Sequence, residues 1–173
     1  MLDIPSLTIP DKGVFGVFGP SGSGKTTLLR LIAGLDKPDC GAITGAEDKK
    51  ISFLFQEDRL LPNLTALQNV ALVSDDSAAL KALESVELLQ HRDKYPAQLS
   101  GGMCRRVAFA RAAAFGGDML LLDEPFKGLD EELVDTVSRL ILEKSATTTV
   151  IIVAHDAPAM RLAEKSYRLS GNI

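Results

Sequence analysis

Gly19, Pro20, Ser21, Gly22, Ser23, Gly24, Lys25 and Thr26 follow a known spacing: a glycine, four free positions, then Gly-Lys and a hydroxyl residue. Thr27 extends the run. Glycines in such a loop let successive backbone N–H groups turn inward around an anion, and a following helix adds the positive end of its dipole. The Lys25 ammonium has the reach for the β- and γ-phosphates of a nucleotide, and the Thr26 hydroxyl suits Mg²⁺. Further along, Met119-Leu-Leu-Leu-Asp123-Glu124-Pro125 puts two carboxylates after a short apolar run. That run reads as a buried strand, and the C-terminal ends of strands are where open α/β sheets hold ligands. Asp123 suits a Mg²⁺ ion held through water, and Glu124 suits a water to be oriented or deprotonated. Two acids opening a loop are common; the phosphate loop in the same chain gives this pair its weight.

These groups need a scaffold. Gly13–Phe18 reads as a short buried strand entering the loop. Lys25–Leu35 reads as the helix leaving it, with Leu28, Leu29, Ile32 and Leu35 at helical spacing. Turns are expected over Asp36–Gly45, which carries Pro, Asp and Gly. Ile51–Phe55, Met119–Leu122 and Val150–Ala154 read as further strands, and the last two are the continuous apolar runs of a parallel sheet covered on both faces. Between them Glu131–Lys144 has one apolar face of Leu133, Val134, Val137, Leu140 and Ile141, with Asp130 as its cap and Lys144 at its negative end. Ser166–Ser170 reads as a final short strand. From Leu64 to Phe115 helical stretches take over, at Leu64–Val73, Ser77–Leu89 and Gly102–Phe115, with a turn-rich joint at His91–Gln98. The pattern predicts an α/β domain with a mainly parallel sheet flanked by helices, plus an inserted α-helical lobe. One domain would cover residues 1–173, with 1–56 and 116–173 as its α/β core and about 57–115 as the helical lobe.

Composition bounds the rest. The chain has 173 residues and 18.5 kDa, which suits one domain. Its 46% apolar and 24% charged residues exclude disordered, collagenous and low-complexity classes. The longest apolar run, Val150–Ala154, is far below the ~18 residues that span a bilayer. Met1–Pro10 lacks the layout of a signal peptide, so a soluble, cytoplasmic domain is expected. Nineteen Lys and Arg against 23 Asp and Glu give a net charge of −4, which weighs against a nucleic-acid partner. Cys40 and Cys104 lack metal or disulfide spacing and read as buried or neutral thiols, and His91 and His155 lack a metal-binding pattern.

Several motifs then recur in order. They are the phosphate loop, Gln56 after a strand, Leu99-Ser100-Gly101-Gly102-Met103 before a helical run, Asp123-Glu124 after four hydrophobic residues, Gly128-Leu129-Asp130, and His155 after a strand. Singly, Ser-Gly-Gly is only a capped helix start, and a lone His after a strand is most often structural. As a series they resemble the ATPase subunits of ATP-binding cassette (ABC) transporters, over nearly the whole chain. Guanine-binding NTPases would carry an Asn-Lys-x-Asp stretch, which is absent.

The resemblance implies a P-loop NTPase fold that hydrolyses ATP with Mg²⁺. Gly19–Thr27 would cradle ATP, and Thr26, Gln56 and Asp123 would serve the metal. Gln56 would also contact the attacking water and sense the membrane subunit. Ser100, Gly101 and Gly102 would bind the γ-phosphate held by a second copy. Glu124 would be the catalytic base, Asp130 would cross the dimer interface, and His155 would contact the γ-phosphate as a switch. The implied partners are a transmembrane permease and a second ATPase subunit, a homodimer in the ATP-bound state, on the inner face of the cell membrane.

Phe55–Pro62, Ser100–Arg106 and Asp123–Asp130 look like the importer ATPases for nitrate, sulfonate, taurine or related small solutes. Glu57–Val73 would then receive the coupling helix of the permease. Met103 stands where the family pattern has Gln, peripheral to the backbone donors. Only 18 residues precede Gly19, and none of them is Tyr or Trp. A reduced antiparallel β lobe without an adenine-stacking aromatic is therefore expected, and no regulatory domain after the last strand. A truncated, catalytically weak nucleotide-binding module is the alternative reading.

Overall fold

Apolar runs become strands here because each can be buried on both faces. Val14 and Phe18 enter one hydrophobic cluster while Phe15 and Val17 enter another. The same alternation separates Leu120 and Leu122 from Met119 and Leu121, and Val150 and Ile152 from Ile151 and Val153. Each fully buried aliphatic chain contributes about 1.5–3 kcal/mol relative to exposure, which forces these runs into the middle of a layered fold.

The computed structural model describes residues 2–169. Its strands are β1 (Gly13–Phe18), β2 (Ile51–Leu54), β3 (Met119–Asp123), β4 (Thr149–Ala154) and β5 (Lys165–Arg168). They form one five-stranded sheet in the order β2-β3-β4-β1-β5, and every pair is parallel. The helices are α1 (Lys25–Ile32), α2 (Ala66–Ala71), α3 (Asp76–Ser85), α4 (Gly101–Phe115), α5 (Glu131–Ser145) and α6 (Ala157–Leu162). Helix α1 covers one face of the sheet with Leu28, Leu29 and Ile32. The cluster on the opposite face takes in α4 through Val107–Ala110 and α5 through Val137 and Ile141.

Local chemistry sets the helix ends. Asp75, Ser100, Asp130 and Asp156 each accept a backbone N–H from the first turn of α3, α4, α5 and α6. Thr65 and Gln68 form a reciprocal capping box, so α2 starts at Ala66 rather than Leu64. Helix α1 ends at Ile32, short of the expected Leu35, and Gly34 follows at φ 68. Helix α3 stops at Ser85, ahead of a 3-10 turn at Leu89–His91. Helix α6 carries no expectation from the sequence. Pro in the first turn is compatible with a helix, and Asp156 caps it. The last strand covers Lys165–Arg168, and Ser170 lies outside the described residues.

The expected antiparallel lobe is corrected. Among the described residues no antiparallel pair occurs, and residues 2–12 and 38–50 carry no strand. Pro5, Pro10 and Pro38 lack donors, and Gly41 and Gly45 sit at φ 77 and 81, so a continuous ladder does not form. Leu2, Ile4, Leu7 and Ile9 instead pack onto the α1 cluster beside a cavity of about 580 Å³. Cys40 is exposed rather than buried, whereas Cys104 is half-buried and its thiol is pushed up by burial and then by Asp58.

Helix α4 packs on α2 and α3 and also on β2. Ser52 Oγ, buried under it, donates to Ala112 O at 2.6 Å. It is the element that ties the helical region to the sheet.

Candidate functional site

Parallel strands leave their C-terminal ends on one edge. The strand register sets Phe18 beside Ala154 and Asp123 beside Val153. The residues that follow, Gly19, Glu124 and His155, therefore emerge side by side.

The phosphate loop runs from β1 into α1. Gly22 and Gly24 hold φ 79 and 91, a left-handed backbone open to glycine, and Gly24 caps α1 with no side-chain bond. The first N–H groups of α1 thus face outward without a protein side chain to satisfy them. A Cβ on Gly19 would stand 2.7 Å from Leu169 O and 2.8 Å from Ser23 Oγ, so the loop is packed to glycine dimensions. Ser23 Oγ is buried without a partner. Lys25 is 8% exposed, and its ammonium donates to Gly19 O at 2.8 Å and Pro20 O at 2.9 Å. A buried cation held by neutral carbonyls, beside helix-start N–H groups without a side-chain cap and a hydroxyl without a partner, has the chemistry to hold an anion.

Thr26 and Asp123 meet directly. Thr26 Oγ1 donates to Asp123 Oδ2 at 2.7 Å, across 97 positions of sequence. Asp123 is 2% exposed, and burial raises its carboxyl above the usual Asp range, against the pull of the Thr26 bond. Hydroxyl and carboxylate are hard oxygen donors, the kind Mg²⁺ takes from a protein alongside phosphates. No cluster of three or more His, Cys, Asp or Glu able to hold a metal occurs among the described residues, and Mg²⁺ at such a pair would draw its other ligands from water and phosphate oxygens.

Glu124 is held in an unusual backbone state. Its φ of 51 is left-handed, which costs a non-glycine residue roughly 1–2 kcal/mol. Its N–H donates to Val153 O at 2.8 Å and its C=O accepts from Arg105 Nη2 at 2.8 Å. That aims Glu124 Oε1 at His155 Nδ1, 3.3 Å away. The His155 side chain is 64% exposed and that of Glu124 18%, so the pair is open to solvent on the histidine side. Gln56 is exposed just beyond β2, and its carbonyl meets Arg105 Nη1 at 3.4 Å.

Ser100, Gly101 and Gly102 stand apart. Ser100 Oγ accepts from Met103 N at 3.2 Å, and a Cβ on Gly102 would come within 2.9 Å of Gly128 O. The start of α4 is thus pressed against the Gly128–Asp130 loop, and Asp130 caps α5. No hydrogen bond among the described residues joins Ser100–Gly102 to the phosphate loop of the same chain. The sequence reading missed Arg105 as a member of the site. Its signal was present: Arg105 shares a helical face with Ala108, Phe109 and Ala112, all buried.

A glycine-built anion loop, a hydroxyl paired with a buried carboxylate, and a carboxylate beside an imidazole at one sheet edge suit a P-loop ATPase. Comparison with known proteins narrows that class. The family model described as ABC transporter matches residues 2–127, and the chain belongs to that family as an ATP-binding, ATP-hydrolysing cassette. It is 40% identical to the probable sulfate/thiosulfate import ATP-binding protein CysA of Chlorella vulgaris, over 95% of this chain and 78% of that one. It is also 40% identical to CysA of Escherichia coli, over 97% of this chain but 53% of the relative, so it spans about half of that protein. Identity to the aliphatic sulfonates import ATP-binding protein SsuB of Zymomonas mobilis is 42%, over 92% of this chain and 71% of the relative. Among solved structures, the ATP-binding cassette MJ0796, dimeric in a post-hydrolysis state with ADP and Pi, matches with a TM-score of 0.88 and 34% identity. That match covers 97% of this chain and 85% of that one.

Proposed function

We propose that the chain drives solute import through a separate membrane permease, hydrolysing ATP between two cassettes. The observation that carries the reading is the convergence of buried Lys25, the Thr26–Asp123 pair and the Glu124–His155 pair at one sheet edge. Gly19–Thr27 bind the phosphates, with Lys25 leaving its loop carbonyls for them. Thr26, Asp123 and Gln56 hold Mg²⁺, which supplies charge neutralisation to the triphosphate when bound. Glu124 accepts a proton from the water that attacks the γ-phosphorus, and ADP leaves with its electrons. His155 holds the γ-phosphate and reports its loss.

The second half of the site belongs to another copy. Ser100 and Gly101 are exposed at the start of α4, and Ser100–Gly102 make no hydrogen bond to their own phosphate loop among the described residues, so they serve a partner's ATP. The relative solved as a dimer with ADP and Pi supports that pairing. Residues 1–56 and 116–173 act as the ATP-binding core and about 57–115 as the lobe that meets the permease, through Glu57–Val73. No helix among the described residues is long and apolar enough to cross a membrane, which fits a chain docked on the inner face of one. The relatives named for sulfate and sulfonate import support a small oxyanion as the solute. A relative at 37% identity is named for glucose import, so identity at this level tracks the ATPase more closely than the cargo.

Glu124→Gln tests the reading. Mg²⁺-dependent turnover is expected to vanish while ATP-bound dimers accumulate on a sizing column. Unchanged turnover would remove Glu124 as the base, and ATP binding without turnover in the parent chain with its permease would make it a nucleotide-binding module instead.

A further inference from the structure

Arg105 is 3% exposed and lies one turn into α4, just after Ser100–Gly102. Its guanidinium holds two separate loops at once. Nη1 donates to Phe55 O at 2.6 Å, to Gln56 O at 3.4 Å and to Asp58 Oδ1 at 3.1 Å. Nη2 donates to Asp123 O and, at 2.8 Å, to Glu124 O. Four of these five acceptors are backbone carbonyls flanking or belonging to the residues assigned to metal and water. We propose that Arg105 is the positioning residue that sets Glu124 and the Gln56 segment in one register with the start of α4.

The physical reason lies in Glu124. Its left-handed φ of 51 is disfavoured and persists only if both ends of the residue are held. Val153 O takes the N–H, and Arg105 takes the C=O. Releasing one end lets the backbone relax and moves the carboxylate, and a displacement of about 1 Å at reacting groups costs on the order of 10²-fold in rate. The same guanidinium is anchored on the helix whose first residues would meet the second copy's ATP. Events at that interface therefore reach this chain's own Glu124 through one rigid side chain. Only a planar fork can serve carbonyls on two sides; a lysine ammonium is a single point charge on a flexible stem.

The inference rests on Glu124 and Gln56 acting at the γ-phosphate, and its test separates the two claims. Arg105→Lys keeps the charge and most of the volume, and Arg111, bonded to Asp58 O and Arg59 O, still holds the 58–59 segment. In the full chain, Arg105→Lys is expected to lower kcat by ~30- to 100-fold, with KM and the Kd of a fluorescent ATP analogue within ~3-fold of the parent. Amide exchange at Glu124 rises, while Leu120–Leu122 stay protected. A kcat within ~3-fold of the parent, or an equal loss of binding and turnover, would overturn the proposal. Unchanged exchange at the Glu124 amide overturns it as well, and needs no active enzyme. If Glu124→Gln keeps turnover, the base assignment fails, and the exchange measurement still decides the role of Arg105.

Discussion

Thr26→Val removes one hydroxyl and nearly preserves the shape of the side chain. In the structure that hydroxyl donates to Asp123 Oδ2 at 2.7 Å, and Asp123 is almost fully buried. Burial raises the Asp123 carboxyl, and the Thr26 bond is the strongest of the effects that pull it back. A carboxyl whose folded-state value lies above the unfolded one stabilises the fold fully below the unfolded value, ~3.9 for Asp, and less as pH rises through the folded value. Losing the hydroxyl raises the folded value further, so the damage grows with pH. A hydrogen bond to a charged acceptor contributes roughly 1.5–3 kcal/mol, and Thr26 is itself exposed enough for water to replace part of it. The expected loss at about pH 8 is therefore near 1.5 kcal/mol, or about 3–6 °C in Tm for a chain of this size. Near pH 3, below the ordinary Asp value, Asp123 is mostly protonated, only a neutral bond is lost and the cost falls to about 0.5–1 kcal/mol. Thermal unfolding of the nucleotide-free chain by circular dichroism, at both pH values, measures this. An equal loss at the two pH values, or none at either, would refute the argument that the hydroxyl supports a buried charge.

Gly19→Ala drives a methyl group into Leu169 O and Ser23 Oγ, and such overpacking costs about 1–3 kcal/mol. The strain falls on the phosphate loop, so ATP affinity is expected to drop ~10- to 100-fold in a fluorescence titration, and an unaltered Kd would contradict the packing argument. Asn69 is 0% exposed and bonds Leu61 N and the carbonyls of Leu61, Leu64 and Thr65. Asn69→Ala leaves those groups without their partner and is expected to cost about 2–4 kcal/mol, read as a lower urea midpoint at unchanged slope, with ATP binding intact. A shift worth less than about 0.5 kcal/mol would mean that water replaces the side chain.

The phosphate loop and its helix were legible because their chemistry is local. Strand, glycines, lysine and helix start are contiguous, and backbone N–H groups within a few residues do the work. The buried strands were legible because uninterrupted apolar runs have few other places to go. Capping by Asp130 was also read from neighbours three residues apart.

The pairings were not legible from local pattern, although the family resemblance already grouped Thr26 with Asp123 at the metal and Glu124 with His155 at the γ-phosphate. Thr26 with Asp123 and Glu124 with His155 depend on β4 lying between β1 and β3, an order that no local pattern encodes. The antiparallel lobe expected from family resemblance gave way to the prolines and glycines of this particular chain. Arg105 shows the boundary most clearly. Its place on a buried helical face could be read from spacing, but its partners are mostly backbone carbonyls, and every residue type carries one. Sequence thus determined which groups could do the chemistry. Tertiary structure decided which of them meet, because contacts between distant strand ends and loops are set by the sheet order and leave no periodic signal in the chain.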